Sequence, residues 1–115
     1  MKKIFPTIFF AAMLLWSCHH EPVDTAVPIC VQDMITQLKQ LPKFNPPAQV
    51  SQYTYNGQTV YYFTSDCCDQ FNYLYDGTCQ PICAPDGGIT GNGDGKCADF
   101  WKTAKLDRVI WKDQR

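Results

Sequence analysis

Five of the seven cysteines in this 115-residue chain fall between Cys67 and Cys97, and no other feature restricts the possible folds as much. A small chain so rich in thiols carries either a metal site or a disulfide framework, and compartment decides between them. The N-terminus supplies the compartment. Lys2 and Lys3 precede a nearly unbroken apolar run from Ile4 to Trp16, interrupted by Pro6 and Thr7, and Ser17 then meets Cys18. This is the order of a secretory signal, and the run is shorter than the roughly 17–25 residues a spanning helix needs. Thiols exported to an oxidising compartment pair with one another, so a zinc reading of Cys67, Cys68, Cys79 and Cys83 is set aside. Cys30, Cys67, Cys68, Cys79, Cys83 and Cys97 are expected to form disulfides.

Leu15-Trp16-Ser17-Cys18 resembles the lipobox of bacterial lipoproteins, whose signal is cut before a cysteine that then receives lipid on its sulfur. The resemblance implies lipid attachment at Cys18 and a bilayer partner reached through the acyl chains. It places the protein in the bacterial cell envelope, lipid-anchored, at the outer membrane. Counting agrees with it, because an odd set of seven cysteines becomes an even six once Cys18 is acylated. The expected organisation is a signal peptide over 1–17, a tether over 18–25 and one cysteine-rich globular domain over 26–115. His19 and His20 fall in the tether, where a disordered pair makes a poor preformed metal site.

The mature chain is slightly acidic. Without Lys2 and Lys3 the ten basic groups fall to eight against eleven acidic ones, which argues against a nucleic acid or an anionic lipid held by charge. From Thr25 on, Val27, Cys30, Val31, Met34, Leu38 and Leu41 recur at helical spacing, with Pro28 in the first turn and Pro42 as the stop. Cys30 lies on that apolar stripe, so a helix-to-sheet disulfide is expected. Asn56-Gly57 between two β-rich runs predicts a hairpin with Tyr53 opposite Val60. Tyr53, Tyr55, Val60 and Tyr62 then share one face, expected under the helix, and Thr54, Thr59, Tyr61 and Phe63 share the other. Asp76-Gly77 predicts a second tight turn. Five of the seven glycines lie between Gly87 and Gly95, which makes a loop pinned by Cys83 and Cys97. Asp99 to Lys105 fits a short helix and Arg108 to Trp111 a final strand, with Trp111 sealing the core. The fold class expected is a small α+β domain, an N-terminal helix on an antiparallel sheet with a glycine-rich loop.

Six cysteines allow fifteen pairings. Joining the neighbours Cys67 and Cys68 closes a strained ring, so the adjacent pair is expected to reach two layers, one sulfur to Cys30 and the other to the loop side.

Candidate chemistry is sparse. Asn92-Gly93-Asp94-Gly95 resembles the centre of a calcium loop, but Thr90 and Trp101 stand where its end ligands belong, and no metal or cofactor is assigned. Tyr61 and Phe63 on the exposed strip, with Asp86, Asn92 and Asp94 from the loop, are the candidate binding residues for an envelope protein or a glycan. The only histidines are in the tether and Glu21 is the only glutamate, so no nucleophile with a base can be assembled and no catalytic residue is assigned. Two alternatives remain. The stretch Pro81-Ile82-Cys83-Ala84-Pro85-Asp86-Gly87 resembles a Kazal-type protease inhibitor, and Asp66 with Asp69 is an acid/base pair that a small hydrolase needs.

Tyr53 to Gly57, Val60-Tyr61-Tyr62, Cys67 to Asn72, Ile82 to Gly88 and Gly93 to Cys97 together resemble a family of small cysteine-bridged lipoprotein domains of unknown function from Gram-negative bacteria. The resemblance spans roughly Cys30 to Arg115. It implies an envelope-anchored module and transfers no catalytic residue.

Overall fold

Pro28 opens the first helix, its carbonyl accepting from the N–H groups of Val31 and Gln32 at 3.0 and 3.1 Å. This is a computed structural model, and it describes residues 26–115; the signal segment, Cys18 and the tether residues His19 and His20 lie outside the described residues. Helix α1 runs Ile29–Gln40 and is followed by β1 (Gln49–Tyr55), β2 (Gln58–Phe63), β3 (Phe71–Tyr75), β4 (Pro81–Gly87), a short α2 (Phe100–Thr103) and β5 (Lys105–Lys112). The five strands form one antiparallel sheet in the order β4-β3-β2-β1-β5. The expected α+β architecture is present.

Strand order explains the rest of the layout. Since β4 and β5 are opposite edges, the connection between them must cross β3, β2 and β1, and it crosses on the face that α1 leaves open. Both faces of the sheet are therefore covered. One core joins Val27, just before α1, and Val31 and Ile35 of α1 to Val50, Tyr61 and Phe63. The other joins Tyr55, Val60, Tyr62, Leu74, Cys83 and Cys97 to Phe100 of α2.

This reverses the expected assignment of faces. Tyr61 and Phe63, expected as an exposed strip, are only 3% and 8% exposed beneath α1. Tyr53, Tyr55, Val60 and Tyr62 turn instead to the crossing connection. Alternation in β2 fixed which residues share a face, but Val60 to Phe63 are all buried, so parity alone carries no preference for one layer over the other. Along α1, Ile35 joins the buried stripe while Leu41, beyond the helix end, is 46% exposed. Trp111 packs as expected, half-buried on the α1 side opposite Val50.

The first hairpin has the expected register, with Tyr55 opposite Gln58 and Tyr53 opposite Val60. Asn56 and Gly57 adopt φ of 50° and 74°, the two positive values that a type I′ turn demands. The second turn is wider than expected. The Asp76 carboxylate accepts from the N–H of Thr78 and Gln80 and from the Thr78 hydroxyl, and Cys79, not Gly77, takes the left-handed conformation at φ 62°. Those bonds hold the Asp76 carboxyl below its ordinary range.

The disulfides are Cys30–Cys79, Cys83–Cys97 and Cys67–Cys68. Cys30 bridges the helix not to a strand but to Cys79 in the turn between β3 and β4, and the excluded bond between Cys67 and Cys68 is the one that forms. The reason lies in the wide turn and the crossing loop. Cys79 packs on the α1 side and Cys83 in the opposite core, so those two sulfurs serve the two layers. Cys67 and Cys68 are left on an exposed loop with only each other. The chain-entropy estimate gives about 4 kcal/mol for Cys30–Cys79 and about 3 kcal/mol for Cys83–Cys97, from separations of 49 and 14 residues.

Sheet edges are blunted. Pro81 and Pro85 interrupt the donor row of β4, and β5 carries two bulges and a lysine at each end.

Candidate functional site

Gly93 brings the crossing connection down onto the sheet. Its φ is 73°, and a side chain there would stand 2.0 Å from the carbonyl oxygen of Ala84, so only glycine permits the approach. The loop is then tied down by Gly93 N–H to the Gly87 carbonyl and Asp94 N–H to the Ala84 carbonyl, both 3.0 Å, and by Cys83–Cys97. Three residues after Cys97, α2 begins. It places Phe100 fully in the core and leaves Trp101 at the rim, 50% exposed.

Around Trp101 the rings meet at right angles. Its indole is 6.1 Å from Tyr53 and 5.4 Å from Tyr62, at interplanar angles of 86° and 84°, and Tyr53 and Tyr62 are themselves 6.2 Å apart at 84°. The Tyr62 hydroxyl donates to both oxygens of the Asp86 carboxylate, at 2.8 and 3.0 Å. Asn72 donates to the same carboxylate at 3.0 Å, while its own oxygen accepts from the Ser65 N–H at 2.7 Å. Three strands thus converge on Asp86.

Burial, then the hydrogen bond to Asp86 and its charge, push the Tyr62 phenol far above its ordinary value of 10.0. Burial also raises Tyr53, and the charge of Asp86 adds to the rise. The Tyr55 phenol is raised first by its bond to Asp99. These hydroxyls keep their protons through the physiological range, and those of Tyr62 and Tyr55 donate to Asp86 and Asp99.

A family model described as a domain of unknown function, DUF6970, matches residues 36–113. The chain belongs to the DUF6970 family. Tyr53, Tyr62, Asn72, Asp86 and Trp101 all lie inside the DUF6970 match, and Cys30 precedes it. No curated protein and no solved structure matches this DUF6970 chain.

The DUF6970 fold disperses most of the residues singled out from sequence. Asp86 is at the centre of the site. Asn92 and Asp94 are in the loop, where Asn92 donates its N–H to the Thr90 hydroxyl and Asp94 accepts from the Lys96 N–H, each within its own turn. Trp101, at the last position of the supposed calcium loop, packs on tyrosines. Asp66 and Asp69 face different hollows. Asp66 borders a groove of about 260 Å³ beside α1 and accepts from the N–H of Asn45 and Cys67, and Asp69 borders one with Phe71 and Ile89. The inhibitor-like stretch is not a free loop, because Pro81–Gly87 is β4 and Cys83, Ala84 and Pro85 are buried. Trp101 itself was missed as a site residue. Its only signal was a tryptophan beside Phe100 in a very short helix, which reads equally well as core.

Proposed function

We propose that this DUF6970 domain is a non-enzymatic binding module, held at the bacterial cell envelope by lipid on Cys18, with the Trp101 corner as its recognition surface. The carrying observation is the half-exposed Trp101, set square to Tyr53 and Tyr62 beside the Asp86 carboxylate on a disulfide-closed scaffold. Large rigid rings give contact area at small entropic cost, and a polar group at their edge fixes orientation. The anchoring part of the reading rests on the order Leu15-Trp16-Ser17-Cys18 and on the even set of cysteines that acylation leaves. Among the described residues no helix is long and apolar enough to cross a membrane.

Two measurements test the two parts. Intact mass of protein from native membranes should show the chain starting at Cys18 with diacylglycerol and acyl mass added, and Cys18→Ser should move it to the soluble fraction; an unmodified Cys18 contradicts the anchor. Envelope extract passed over immobilised protein should yield a ligand or partner that Trp101→Ala loses. Equal capture by both proteins, or none, contradicts the binding module.

A further inference from the structure

Asp86 is bonded to a ring of the aromatic corner, and its described hydrogen-bond partners, Tyr62 and Asn72, are both neutral. Among the described residues no cation lies within ion-pair distance of it. The neutral donors around it are already committed: the Asn72 carboxamide is used at both ends, by Asp86 and by the Ser65 N–H, and the Tyr62 proton points at the carboxylate. A sugar hydroxyl could donate to the free lone pairs of Asp86 but gains nothing from its net charge. What the site offers outward is different: negative charge on oxygens that retain acceptor capacity, and aromatic faces whose quadrupoles attract cations, tryptophan most strongly. Tyr53 and Trp101, both partly exposed and at 86° to one another, form a two-walled corner over the buried Tyr62, a shape that meets a compact ammonium head from more than one side. An anionic ligand is repelled by the same charge.

We propose that the corner formed by Tyr53 and Trp101 over the buried Tyr62, with Asp86 as counter-charge, binds an organic ammonium group, a primary or methylated amine carried by a small molecule or a side chain. This names the ligand class of the binding-module reading and rests on it. Trp101 supplies the face against which the cation seats, and Asp86 supplies the charge that separates it from a neutral isostere. Tyr62 holds Asp86 in place.

The test uses the full, oxidised chain labelled with nitrogen-15, in detergent, with choline as probe and 3,3-dimethylbutan-1-ol as its neutral isostere. The Trp101 indole signal, assigned by its disappearance in Trp101→Phe, should shift saturably with choline and leave the Trp111 indole in place. The isostere should bind at least about tenfold more weakly, and Asp86→Asn should weaken choline about tenfold, the size of a partly desolvated cation–π and ion-pair contact. Equal response to choline and isostere in the unaltered protein overturns the inference without recourse to any variant that fails to fold. A shift with N-acetylglucosamine and none with choline also overturns it, while leaving the binding module standing. No response to choline overturns it too, and the binding module is then judged by its Trp101-dependent capture alone.

Discussion

Tyr62 donates to both carboxylate oxygens of Asp86, and this pair couples β2, near the middle of the sheet, to the edge strand β4 across β3. Removing the hydroxyl leaves the ring in the core and deprives a part-buried carboxylate of one of its two partners. Tyr62→Phe should cost about 1–3 kcal/mol in urea unfolding, the size of a lost hydrogen bond to a charged group. The same pair makes alkaline stability diagnostic. Because the folded-state value of Tyr62 lies above its unfolded value of 10.0, its contribution is fully present below pH 10 and is lost as pH rises beyond it. Phenolate absorbance should show at least one tyrosine that ionises only as the protein unfolds.

Acid acts at the other end of the domain. The Arg115 guanidinium and N–H bind Asp113 and, with the charge of Lys43, hold its carboxyl down to about 2 against an ordinary value of 3.8. Arg115 also donates to the carbonyls of Lys39 and Leu41, closing the end of α1, and Lys43 reaches the Arg115 carbonyl. A lowered folded-state value gives stability that is present above pH 4 and lost as pH falls toward 2. Melting temperature should drop over that window in the native protein and much less in Asp113→Asn.

Glycine tests the crossing loop. At Gly93 an added Cβ collides with the Ala84 carbonyl, whereas at Gly91 it meets open space at a similar φ of 78°. Gly91→Ala should cost about 1–2 kcal/mol, the penalty of a left-handed alanine. Gly93→Ala should cost more than that, and should alter the Trp101 environment, because the loop must lift off β4. Equal costs in urea unfolding would contradict the close approach.

The two long-range disulfides should differ sharply from the adjacent one. Replacing Cys30 and Cys79 together by serine should lower stability by roughly 2–4 kcal/mol, and the same change at Cys67 and Cys68 by under about 1 kcal/mol, since a bond between neighbours closes almost no loop. Chemical denaturation of the two double variants measures the difference.

Much of this fold was legible in local pattern. The α1 periodicity, the Asn56-Gly57 turn and its register, and the closure of the glycine loop by Cys83 and Cys97 each rest on residues close in sequence. What was not legible is what strand order decides. Nothing local says that β5 lies beside β1, and only that placement sends the connection across the sheet, buries Tyr62 and partly covers Tyr53 under it, and turns Tyr61 and Phe63 to the helix. The disulfide error has the same origin: Cys79 reaches Cys30 because Asp76 organises a wider turn than Asp-Gly suggested. Of the site, Asp86 stood out as a loop aspartate, while its partners Tyr62, Asn72 and Trp101 meet it only through tertiary structure.

The site exists only if the connection after β4 folds back over the sheet, and the sulfur pairing reports on that path. Peptide mapping of the unreduced protein from its native compartment should yield Cys30 linked to Cys79, Cys83 to Cys97, and Cys67 to Cys68. Recovery of Cys67 or Cys68 joined to Cys30, Cys83 or Cys97 would contradict it.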